Sequence, residues 1–165
     1  MFIDFKNISD NSRLWIYGSA KVLTSDIQFS ISKKITSFLN SWAHHGKSLT
    51  CSFTILHERF IVIALDEDIN QTGGCSMDGL QKLILKIDDD FTLNLYNRLN
   101  VFINAENEIT CINSNMLNTN DDITEDSLFF DLNISKKKDL SNWLIPIKKG
   151  WCKRFLDCSS DTDKF

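Results

Sequence analysis

Leu49-Thr50-Cys51-Ser52-Phe53-Thr54-Ile55-Leu56, then His57-Glu58, then Arg59-Phe60-Ile61-Val62-Ile63-Ala64-Leu65 is the stretch that decides the fold. Its first half alternates apolar and small polar residues, the period-2 pattern of a strand with one buried face. Its second half is nearly all apolar, as in a central strand covered on both faces. His57-Glu58 between them predicts a tight turn, although it lacks the Asn-Gly of the strongest hairpin signal.

Working outward, Arg13-Leu14-Trp15-Ile16-Tyr17 is short, aromatic and β-branched and reads as the first strand. Thr24-Ser25-Asp26 then offers capping groups, and Gln28 three residues after Ser25 completes a capping box. Ile27, Ile31, Ile35, Phe38, Leu39 and Trp42 form one face of a long helix. That helix is expected to run through His44-His45 and stop at Gly46. Downstream of the hairpin, a polar loop from Asp66 to Gly74 leads into a second helix, with Met77, Leu80, Leu83, Ile84, Ile87 and Phe91 at helical spacing.

Leu99-Asn100-Val101-Phe102-Ile103 is a fourth strand, and Asn107-Glu108 turns the chain into a short added strand, Glu108 to Ile112. The order β-α-β-β-α-β is that of the ferredoxin-like split βαβ motif, an α+β fold with an antiparallel sheet and two helices on one face. The segment 113–125 reads as a surface loop, and the apolar pieces 128–130 and 143–147 as segments docking back on the domain. Residues 150–156 form a short terminal helix or an extended arm. The expectation is one α+β domain over 1–158 and a disordered tail over 159–165.

The 42% apolar and 24% charged fractions of this 165-residue chain are those of an ordinary globular protein. A net charge of −4 argues against broad binding to DNA or RNA; Lys136-Lys137-Lys138, Lys148-Lys149 and Lys153-Arg154 are the only basic runs, and solvated lysines account for them. Nothing at the N-terminus resembles a signal peptide, and no run approaches the roughly 18 apolar residues of a membrane span. The five cysteines, Cys51, Cys75, Cys111, Cys152 and Cys158, are odd in number and never spaced C-x-x-C. Free thiols in the cytoplasm are the reading, with no disulfide framework, structural metal site or cofactor.

The chemistry concentrates at Gly73-Gly74-Cys75-Ser76-Met77-Asp78-Gly79, at the start of the second helix. A first helical turn leaves N–H groups unpaired and carries partial positive charge, which can hold an anion or activate a thiol. Gly73, Gly74, Ser76 and Asp78, joined by Arg59, are therefore candidate ligand contacts. Cys75 is a candidate nucleophile, with His44, His45 and His57 the only imidazoles that could serve as its base. Against this, a buried cysteine is simply a small apolar residue, and Asp78 would oppose both thiolate and anion. His44 and His45, neighbours about 100° apart on a helix, seldom reach one metal ion. Trp151 and Arg154 are candidate partner anchors, since Trp and Arg dominate interface hot spots.

Arg13 to Tyr17, Trp42-Ala43-His44-His45-Gly46, Arg59-Phe60-Ile61 with Asp66-Glu67, Gly74 to Asp78, and Trp151 with Arg154-Phe155 occur in an order that resembles a small uncharacterised family of Bacteroidetes proteins, often labelled "ABC transporter ATPase". The resemblance runs from about Phe5 to Phe155. The family pattern has Ser at the position of Gly73, Ile at Met77, Ser at Gly79 and often His at Cys152, while Cys75, Ser76 and Asp78 match.

The residues argue against ATP hydrolysis by a Walker mechanism, the activity in that label. A P-loop needs G-x-x-x-x-G-K-[ST] between a strand and a helix. Gly46-Lys47-Ser48 lacks the glycine five residues earlier, where Asn40-Ser41 stand, and follows a helix. Two readings stay open. One is a cytosolic binding or adaptor domain for a small anionic ligand or a protein partner. The other is a thiol-dependent hydrolase or transferase using Cys75. Contact with RNA through the basic residues between 136 and 154 ranks below both.

Overall fold

A computed structural model describes residues 1–69 and 73–157. Cys158 and the expected tail, 159–165, lie outside the described residues, as do 70–72 of the loop entering the second helix. The chain is a mixed α+β protein with antiparallel sheets, and it gathers into two compact units.

The first unit comprises Met1–Tyr96 and Asn133–Leu140. Its elements are β1 (Arg13–Gly18), α1 (Ser25–Ser41), β2 (Ala43–His44), β3 (Lys47–Ser48), β4 (Cys51–Leu56), β5 (Phe60–Leu65) and α2 (Gly74–Phe91). The sheet order is β1-β5-β4, with Trp15 and Phe53 both opposite Ile63. As the apolar run requires, β5 is the middle strand and every one of its residues is fully buried. Ile61, Ile63 and Leu65 on one face share a core with Ile31, Ile35 and Leu39 of α1 and Leu80, Ile84 and Ile87 of α2. Each such aliphatic side chain contributes about 1.5–3 kcal/mol on leaving water. Phe60, Val62 and Ala64, on the opposite face, are equally buried. The outer edge of β1 is met by the 135–136 segment, with Leu14 N–H donating to Ser135 O at 2.9 Å, while Phe2 bridges to Cys51 on β4.

Two local expectations need correction. Ser25 is already helical, so the Ser25–Gln28 capping box does not form; Thr24 is the N-cap without a side-chain cap, and the Gln28 amide donates instead to Leu23 O at 2.7 Å. At the other end α1 stops at Ser41, and Trp42 turns extended (φ −69°, ψ 116°). That turn lets its indole enter the core, where it is 4% exposed. His44 therefore lies on a two-stranded hairpin, β2–β3, whose turn is His45-Gly46 with φ of 48° and 77°. Two consecutive positive φ values suit the right-handed twist of hairpin strands, and Gly46 supplies one at no steric cost. The His57-Glu58 turn forms as expected, with φ of 52° and 53° and Arg59 N–H donating to Leu56 O.

The second unit comprises Asn97–Leu132 with 141–157. Its sheet runs β7-β6-β8-β9, from β6 (Asn100–Ala105), β7 (Glu108–Asn113), β8 (Leu128–Phe130) and β9 (Leu144–Pro146). The fourth strand of the sequence reading is thus β6, paired with β7 and β8 and not with β1. The apolar pieces around 128–130 and 143–147 become β8 and β9, and the loop after β7 contains a 3-10 helix, Ser114–Thr119. Val101, Ile103, Leu117, Phe129, Ile147 and Cys152 make the core. A short α3 (Lys153–Asp157) follows.

Two substitutions test this account. Thr92 caps α2 in the left-handed region (φ 53°, ψ 57°), which costs an L-residue about 1–2 kcal/mol and a glycine almost nothing. Thr92→Gly is expected to raise stability by about 0.5–1 kcal/mol after its larger unfolded-state entropy, read as a Tm increase of roughly 1–4 °C. Ser114 Oγ is fully buried and makes no hydrogen bond. Ser114→Ala should therefore be neutral or stabilising by up to about 1 kcal/mol in urea denaturation, whereas a loss above that would show a bonded hydroxyl.

Candidate functional site

The first turn of α2 is built around Ser76. Gly73, extended at φ −126° and ψ 171°, is the N-cap, and Ser76 and Met77 both donate their N–H to Gly73 O. Ser76 is 6% exposed, and three groups of the β2 strand and its approach converge on it. The Trp42 indole N–H donates to Ser76 O at 2.9 Å, Ser76 Oγ donates to Ala43 O at 3.2 Å, and His44 Nδ1 lies 3.1 Å from Ser76 Oγ. A hydroxyl has one hydrogen, so with that hydrogen given to Ala43 the imidazole must donate from Nδ1. The hairpin is thereby latched across the start of α2.

The two glycines of the motif differ in what they meet. A Cβ on Gly73 would sit 2.4 Å from Cε1 of His44, a ring already held through Nδ1. The glycine is needed for this close approach and not for its backbone angles. Gly74 faces open space. Cys75 and Asp78 are exposed on the same turn, and this turn has no side-chain cap. Among the described residues Cys75 is the exposed thiol: Cys111 is half-buried, and Cys51 and Cys152 are buried. Burial pushes both of those thiols up to about 11.

Arg59 does not belong to this group. Its guanidinium donates to Ala20 O at 2.8 Å and Ser19 O at 3.4 Å, and Ala20 N–H in turn donates to Leu93 O, just past the far end of α2. At 1.5 Å per residue the 18 residues of α2 separate that end from Gly73 by roughly 27 Å. The arginine connected to the site is Arg13, which sits 3.2 Å from Glu67 Oε1 and 4.7 Å over the Trp15 ring. Trp15 meets Trp42 edge-on at 6.5 Å, and Trp42 holds Ser76. Trp42 and, behind it, Trp15 and Arg13 are residues that sequence reasoning did not assign to this turn, while His44, considered as a base or a metal ligand, is a hydrogen-bond partner of Ser76. Reading His45-Gly46 as a two-residue turn would have exposed the hairpin and with it His44.

His44 and His45 have rings 4.1 Å apart, but among the described residues no group of three or more His, Cys, Asp or Glu could hold a metal ion. Trp151 and Arg154 lie in the second unit. Trp151 is half-buried against the second core with its ring 6.1 Å from Phe155, and the Arg154 guanidinium covers Phe155 at 4.8 Å. Two of the lysines proposed for a basic patch already have carboxylate partners. Lys137 binds Asp10 and the Ile8 carbonyl, and Lys148 binds Asp126, which holds its ammonium pKa up.

Gly73→Ala is expected to displace the His44 ring and cost about 1–3 kcal/mol, while Gly74→Ala should be neutral or stabilising by up to about 1 kcal/mol, both by chemical denaturation. Equal effects would remove the His44 latch as the reason for Gly73. Iodoacetamide on the native protein, followed by peptide mapping, should label Cys75 well before Cys51 and Cys152. Those two pKa values are raised in the fold, so the stability their burial brings is intact below about pH 9 and is lost as pH rises towards 11. No protein-family model, curated protein or solved structure matches this chain.

Proposed function

We propose that the protein is a small cytoplasmic binding or adaptor module, and that the first turn of α2 is where it meets an anionic ligand or a segment of a partner protein. One observation carries this reading: the Ser76 hydroxyl donates to Ala43 O and lies 3.1 Å from His44 Nδ1, so this imidazole, a candidate base for Cys75, is engaged in holding the hairpin. What that leaves facing outward is a helix start without a side-chain cap, bearing Gly74, Cys75 and Asp78. Arg13, paired with Glu67 and stacked on Trp15, is linked to Ser76 only through Trp15 and Trp42. Membership of the uncharacterised Bacteroidetes family belongs to the same proposal. So does a ferredoxin-like origin for the first unit. The order β1-β5-β4 with α1 and α2 matches a split βαβ motif whose fourth strand has been drawn into another sheet.

A second reading is favoured by the exposure of Cys75, against the buried Cys51 and Cys152 among the described residues: a hydrolase or transferase with this thiol as nucleophile. Purification from the native cell under mild conditions, followed by intact mass spectrometry, separates the two. Binding requires a stoichiometric, non-covalent small molecule or protein with Cys75 unmodified and slow to alkylate at pH 6. A covalent adduct on Cys75, or its rapid alkylation at that pH, would transfer the assignment to the thiol enzyme. Recovery of the bare chain with an inert thiol would overturn both.

A further inference from the structure

We draw no further inference here: the strongest candidate, the open cleft of about 410 Å³ in the second unit between the 117–125 segment and α3, carries nothing because Asp121, Glu125 and Asp157 along it are an exposed acidic cluster and no second observation points to a ligand.

Discussion

The complete burial of β5 is the constraint from which the rest of the first unit follows. A strand with no exposed residue must have a paired strand on each edge and a covering layer on each face, or its backbone groups and its apolar side chains would both be left in poor surroundings. The edges are supplied by β1 and β4, both antiparallel. On one face the layer is α1 with α2, whose apolar stripes repeat every three or four residues against Ile61, Ile63 and Leu65. Register is then fixed by burial: a one-residue slip of β4 would turn Phe53 and Ile55 away from the helices.

Ser76 extends that order to the end of α2. A single small polar residue binds three consecutive residues of the chain leaving α1, Trp42, Ala43 and His44, through its carbonyl and its hydroxyl. Each of these bonds is worth about 1 kcal/mol net, but their convergence in a buried place makes them mutually dependent. The helix start, which from sequence looked like an open anion site, is therefore partly closed by the protein's own hairpin. Its exposed remainder is a narrower surface than the glycine-rich motif suggests.

The elements whose signal is periodic were legible in the sequence. The apolar run of β5, the alternation of β4 and the helical stripes of α1 and α2 each depend only on neighbours along the chain. What was not legible depended on distant contacts or on turn chemistry. The end of α1 was misplaced because His44-His45-Gly46 serves equally well as a helix terminus and as a hairpin turn, and only the burial of Trp42 decides between them. Asn100–Ala105 was recognisable as a strand, but its pairing with β7 and β8 is invisible in element order. Arg59 was drawn to the candidate site by its chemistry, and its two carbonyl partners at Ser19 and Ala20 hold it at the far end of α2.

The contact between Gly73 and the His44 ring has a meaning for how such a sequence can change. A side chain at position 73 would have to displace the imidazole, and the imidazole is kept in place by the hydroxyl at position 76. A change at one of these three positions is therefore felt at the other two. A lineage that gave up the histidine would gain room for a methyl group at 73, while the hydroxyl at 76 would keep its bond to Ala43 O, so it is at 44 and 73 that substitutions should be coupled. Gly74, where an added methyl group would meet nothing within 4 Å, is free of that coupling and can vary alone.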